Sequence, residues 1–377
     1  MASYPRSYPP IGATTDVTDV MTTIVVGSSE VFPPPSTITS GCCNLAEIGD
    51  VTTTERTRVA ELPKRMWTVH ALHWEWWTII QAISAGSGIV GNLLVIAVIF
   101  RIKFIGSSSS TDTLIGALAV ADFLTSVFLI PIPTISNIPS TFLGEVYCKV
   151  VYTARCMWTS VSASIFTLTA ISVERFVAVT FPIKFRVLFN QKRTNLAIIL
   201  IWSLACLLNS FAFFIFHVDS DTASCVIRFP TKNGSEILGI SSYIFVLILP
   251  IIVMLVAQCL TVHALHLESL HFVGNTGLPK PRVRLLQAKR RVIRLILIIN
   301  VTFIVCWTPN QTMYLAFNLG LLPESYLYGA LDRGLVVLAF ANSCANPIIY
   351  GLQNPRFRSA VGKFWTSAPR ERMPVFG

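Results

Sequence analysis

Charge is scarce in this chain. Asp, Glu, Lys and Arg make up 13% of it, against 53% hydrophobic residues, about half the charged share of an ordinary soluble domain. Mean hydropathy is +0.63, so most of the chain needs a covering other than water, and a membrane supplies one. Cysteine gives no metal signal: none of the nine stands in a CxxC or Cys/His spacing. The extreme N-terminus has no apolar core of the signal-peptide kind, so the first long apolar run is expected to direct insertion. No repeat pairs the apolar segments, which counts against many transporters. No filter segment or charged ring points to a channel. No set of paired catalytic groups points to an enzyme. The net charge of +10 is not the footprint of a nucleic-acid binder, because the basic residues flank apolar runs rather than cover one polar face.

What the sequence does contain is seven long apolar runs. They cover residues 79–100, 113–140, 150–173, 196–216, 237–262, 295–322 and 334–354. The second holds only Asp122 and the third only Arg155 as charged groups; the other five hold none. At about 1.5 Å rise per residue, each run spans a hydrocarbon layer of about 30 Å. Backbone groups in lipid must bond within their own segment, so the expected fold class is an all-α membrane protein, a seven-transmembrane helix bundle. Strand-like alternation of the barrel kind is absent.

An odd number of spans puts the two termini on opposite sides. One set of connections, together with the C-terminal tail, carries 19 of the 29 Lys and Arg residues. The positive-inside rule places that set in the cytoplasm and the N-terminus outside the cell, as expected of a multi-pass protein of the plasma membrane. Trp74, Trp76 and Trp77 then begin the first span at an interfacial belt. Three regions result. Residues 1–72, rich in Pro, Ser and Thr, read as a disordered extracellular tail. Residues 73–354 form the membrane domain. Residues 355–377 form a short amphipathic cytoplasmic helix and tail, with Phe357, Val361 and Phe364 on one face against the inner lipid surface; a frayed tail is the plainer alternative. Cys148 and Cys225 lie at span edges that face outward on this topology, an oxidising side where they can pair. The sequon at Asn233 falls on the same side and is a glycosylation candidate.

Polar groups inside spans are expensive and therefore mark candidate sites. Asp122, Ser164, Asn342 and Asn346 are expected to converge, either around a small cation and water or as static hydrogen-bonded glue between helices.

Several local patterns carry a resemblance. They are Gly91-Asn92; Leu118-Ala119-Val120-Ala121-Asp122; Glu174-Arg175-Phe176, followed by Pro182; Trp202; Pro250; Cys306-Trp307-Thr308-Pro309; and Asn346-Pro347-Ile348-Ile349-Tyr350. Standing in this order and in these spans, they make residues 75–365 resemble the rhodopsin-like (class A) G-protein-coupled receptors. The resemblance implies a transducer whose extracellular ligand shifts a population of states and whose partner is a heterotrimeric G protein. It assigns switch roles to Glu174, Arg175, Trp307, Pro309, Pro347 and Tyr350. It also implies an allosteric sodium ion at Asp122, Ser164, Asn342 and Asn346, with no other cofactor. The chain departs from the family in two places. The usual acid opposite the switch Arg is replaced by Lys289-Arg290-Arg291, so Arg175 is expected to be held loosely, by Glu174 alone. Cys148 precedes Arg175 by 27 residues, two more than usual, which leaves the course of the third helix's outer end open.

Two ligand classes are argued down by the same resemblance. A retinal protein needs a Lys in the seventh span, where Phe340 stands. An amine receptor needs an Asp in the third, where Met157 stands. The remaining pocket candidates are Arg155, Met157, Trp158, Gln311, Tyr314, Asp332 and Arg333. Arg155 either contacts ligand or snorkels outward. This mixture of charges, amides and aromatics suits a peptide, and the stretches around Arg175 and Trp307 resemble neuropeptide receptors. A transporter, or a receptor for a non-peptide small ligand, is the alternative.

Overall fold

The structure, a computed structural model, describes residues 67–104, 109–273, 280–323, 325–326, 329–353, 357–359 and 361–362. Seven of its helices are long and apolar enough to cross a membrane: Trp76–Arg101, Ser110–Phe128, Phe142–Thr180, Gln191–Ile215, Gly234–Glu268, Gln287–Asn318 and Ala330–Gln353. Each of the seven expected runs thus contains a membrane-length helix. The bulk of the core lies between them, with Leu118, Ile165, Leu168, Met254 and Phe303 fully enclosed. The third span is the hub and packs on the second, fourth, fifth and sixth. The first and seventh approach closely: a Cβ on Gly91 would stand 2.9 Å from Pro347, and the Asn92 amide donates to the Ser343 carbonyl at 3.0 Å.

The second span begins on a capping box. The Ser109 hydroxyl accepts from the Asp112 amide at 3.2 Å, and the Asp112 carboxylate accepts from the Ser109 amide at 2.8 Å. It stops at Phe128 although its apolar run continues to residue 140. Pro131, Pro133 and Pro139 follow and cannot continue a helix. The released segment forms β2 (Ile135–Ser136), which pairs antiparallel with β1 (Thr68–Val69). Residues 68–70, assigned above to a structureless tail, are therefore fastened to the bundle, and the His70 amide adds a bond of 2.8 Å to Thr134. Residues 1–66 lie outside the described residues.

The third span passes through a π-helical turn at Tyr147–Tyr152 and a left-handed residue, Ala154, with φ 46°, before running as α-helix over Arg155–Thr180. This widened stretch takes up the two extra residues between Cys148 and Arg175. Cys148 is disulfide-bonded to Cys225, with Cα atoms 5.5 Å apart, inside the usual bridging range. Cys225 lies on β4 (Ser224–Ile227), paired with β3 (Phe216–Asp219) in a hairpin that matches Val218 with Cys225. A second π turn, Tyr243–Ile248, precedes Pro250 in the fifth span. Proline has no N–H to complete the α ladder, and the turn before it opens. Pro309 and Pro347 sit inside the sixth and seventh helices.

Beyond the seventh span, residues 357–359 and 361–362 are helical. Phe357 is buried against Tyr350, ring centroids 6.1 Å apart, and Val361 packs on the same cluster. This face packs against protein. Phe364 lies outside the described residues.

Candidate ligand cavity, polar centre and switch

At the disulfide end the third to seventh spans enclose a cavity of about 560 Å³, within the range of small-molecule and peptide-end sites. Arg155, Trp158, Gln311, Tyr314 and Asp332 line it, as the sequence led us to expect. Two expected residues do not. Met157 is fully buried in the core, because one step along a helix turns a side chain by about 100°. Arg333 is turned away from the cavity for the same reason, and its guanidinium lies 3.7 Å from the ring centroid of Trp77. The fourth and fifth spans add Phe211, Leu207 and Phe245, which no charge or motif marks in the sequence. Tyr326, from the segment before the seventh span, also lines the cavity. Burial first, and the nearby Asp332 charge second, push its phenol up to about 12, so it stays neutral.

The cavity wall is unevenly satisfied. Asn209 donates to the Ser162 hydroxyl at 3.0 Å, and Ser235 to the Asn318 amide oxygen at 2.8 Å. By contrast, among the described residues, Nε of Arg155, Oε1 of Gln311 and Oδ2 of Asp332 are buried with no hydrogen-bond partner. Such groups are the ones a bound ligand would satisfy.

The floor is aromatic. Trp158 lies edge-on to Trp307 at 6.3 Å and against Phe340 at 6.1 Å, and Trp307 meets Phe340 at 6.2 Å. Trp158 touches the cavity; Trp307 and Phe340 are buried beneath it. Phe340, marked in the sequence only by the Lys it replaces, completes this triad. Trp307 sits two residues before Pro309, where the sixth helix has lost a backbone bond.

In the middle of the bundle Asp122 accepts from the Ser164 hydroxyl at 2.7 Å and from the Asn346 amide at 2.7 Å. Among the described residues, the side-chain oxygens of Asn342 and Asn346 are buried without a donor. Of the expected cluster, Ser164 and Asn346 meet Asp122 directly; Asn342 makes no bond to the carboxylate among the described residues.

At the end opposite the cavity, Glu174 is wholly buried. Arg175 grips it with two bonds, Nε at 2.5 Å and Nη2 at 2.8 Å. Ser110 and Thr111, from the start of the second span, donate to the same carboxylate at 2.9 and 2.8 Å. This corrects the expectation of a loosely held Arg175: the pair is enclosed and hydrogen-bonded, not half exposed. Lys289, in the place of the family's acid, pairs instead with Glu268 of the fifth span at 2.8 Å. One turn toward the centre, the Asn300 amide donates to Ser172 at 3.1 Å and joins the third and sixth spans. Among the described residues, the hydroxyl of Tyr350 is buried without a partner. Sequence reasoning missed Ser110, Thr111, Ser172, Asn300 and Glu268: a Ser, Thr or Asn in or beside an apolar run carries no motif until its neighbour is known, and Glu268 lies past the end of its run.

A cavity at one end, a polar centre, and a charged latch at the other end of seven membrane-length helices define a seven-helix membrane receptor. The chain belongs to the rhodopsin family of these receptors. Residues 91–350 match the family model described as 7 transmembrane receptor (rhodopsin family). Among curated relatives it is 31% identical over 281 residues to mouse galanin receptor type 2, covering 73% of this chain and 72% of the relative. It is 27% identical over 313 residues to zebrafish galanin receptor 2a, covering 81% and 83%. Human galanin receptor type 2 is 30% identical over 276 residues, covering 72% and 68%. The protein is accordingly a multi-pass membrane protein with the architecture of a class A G-protein-coupled receptor.

Proposed function

We propose that this protein is a plasma-membrane receptor, N-terminus outside, that takes a neuropeptide into the cavity at its disulfide end and activates heterotrimeric G proteins at the opposite end. The observation that carries the reading is continuity. Trp158 is at once cavity wall and neighbour of Trp307, so ligand contact bears directly on the helix that contains Pro309. A peptide fits a cavity with a cation, an anion, amides and aromatic rings on its walls, and the relatives named above are galanin receptors. The orientation follows from the basic connections, and Asn233, exposed at the start of the fifth span, is then an acceptor for glycan. At the polar centre, Asp122, Ser164, Asn342 and Asn346 would supply an all-oxygen donor set suited to sodium, a hard cation; the bonds of Ser164 and Asn346 to Asp122 support this.

The test is nucleotide exchange on purified G proteins added to receptor-bearing membranes, challenged with galanin and a set of amidated neuropeptides. At least one peptide should accelerate exchange, and Trp158→Ala should blunt the response. Transport or current without exchange would overturn the reading.

A further inference from the structure

We propose that Arg155 seats a carboxylate carried by the ligand. The inference rests on reading the cavity as the ligand site and specifies its chemistry. Arg155 begins the regular helix of the third span, just after the left-handed Ala154, and the widened turn before it sets its position on the cavity wall. It is 7% exposed, which leaves no room for its head to reach lipid headgroups. Among the described residues it makes no hydrogen bond and no ion pair. Its guanidinium lies 4.8 Å from the ring centroid of Phe211, and Tyr314 stands close enough to act on its charge. The cavity it faces is lined by apolar Val161, Leu207 and Ile215 as well as by polar Ser162, Asn209 and Gln311, none of them an acid.

A guanidinium is a fork of five donors that stays charged in proteins. Enclosed without an acid, it is among the most expensive groups a fold can hold. Asp332 lines the same cavity but is not within ion-pair distance of it. The two opposite charges are thus held apart across one cavity, each with an unpartnered buried atom. A planar carboxylate answers the fork with two parallel bonds, and a ring beneath the guanidinium holds it flat for that contact. The carboxylate comes either from a peptide's C-terminus or from an acidic side chain near its inserted end.

The test uses purified full-length receptor in lipid nanodiscs, without G protein, and saturation-transfer NMR. Three probes separate the sources: N-acetyl-phenylalanine as free acid, the same compound as amide, and N-acetyl-glutamyl-phenylalaninamide. One acid probe should bind at least about tenfold more tightly than the amide, the scale of a charge-assisted bond. Preference for the free acid assigns a terminal carboxylate, and preference for the glutamyl probe a side-chain one. Arg155→Gln should erase the preference, Arg155→Lys should retain part of it, and Asp332→Asn should leave it in place. Equal binding of acids and amide to the unaltered receptor, binding of none of the probes, or a preference that survives Arg155→Gln would overturn the proposal. Because these readouts need no activation, they fail or succeed separately from the exchange assay that tests the peptide-receptor reading.

Discussion

Glu174 is fixed from two directions, by Arg175 beside it and by Ser110 and Thr111 across the helix interface. Opening the lower end of the bundle frees Arg175 only if that carboxylate gives it up. Neutralising it weakens the grip on the closed state: Glu174→Gln should raise ligand-free nucleotide exchange roughly tenfold, the scale of one charge-assisted hydrogen bond. Thr111→Val should give a smaller rise in the same assay, and a quieter receptor in both cases would show that the pair does not hold the closed state. Asp122 permits an independent test. If sodium sits among Asp122, Asn342 and Asn346 and favours the closed state, added NaCl should weaken agonist binding to the native receptor. Asp122→Asn should abolish that dependence, while potassium is without effect on either. Affinity that remains sodium-sensitive in Asp122→Asn would remove the cation from the account. These residues were legible for unequal reasons. Asp122 stands out because ionisable groups are rare in apolar runs, and Glu174 and Arg175 because they form an acid-Arg-aromatic pattern with Phe176 at the end of one. Ser110 and Thr111 lie in the second span's first turn, where Ser and Thr look like helix caps.

Between the third and sixth helices the restraint is a buried amide–hydroxyl bond, Asn300 to Ser172, rather than the ion pair that many relatives of this family use. Hydrogen bonds between membrane helices are worth about 0.6 kcal/mol on average. Asn300→Leu should therefore raise basal exchange about threefold, with surface expression near normal; no change in basal exchange would mean that the two helices separate elsewhere. Lys289 and Glu268 tie the fifth helix to the sixth, a pairing of partly exposed groups that is worth little by itself. The helices themselves were plain in the sequence, since seven long runs with at most one charge each admit few other structures in lipid. Their ends were not. The second run overshot its helix by twelve residues because Pro131, Pro133 and Pro139 are apolar in composition yet end a helix. The π turn at Tyr147–Tyr152 was signalled only as two surplus residues before Arg175. The β1–β2 and β3–β4 pairings carry no period in such short segments, and a disulfide and long-range contacts decide them.

Across the whole molecule, three layers lie in series along the bundle: the cavity with Arg155 and Asp332, the Trp158–Trp307–Phe340 triad above the Asp122 cluster, and the Glu174–Arg175 latch. Motifs in the sequence place the last two layers. The cavity was half legible, because its charged and amide residues stand out and its apolar wall from the fourth and fifth spans does not. The central claim is that contact at Trp158 is transmitted through Trp307 to opening at the far end. Distance measurement by double electron–electron resonance tests it directly. Spin labels belong at Val187 and Arg290, both exposed at that end, in a background where Cys156, Cys206 and Cys259, which are exposed, are replaced by alanine. An activating peptide should lengthen the 187–290 distance in the native receptor, and Trp158→Ala should suppress the lengthening at saturating peptide. Full lengthening in Trp158→Ala, or accelerated G-protein exchange with no change in that distance, would contradict the account.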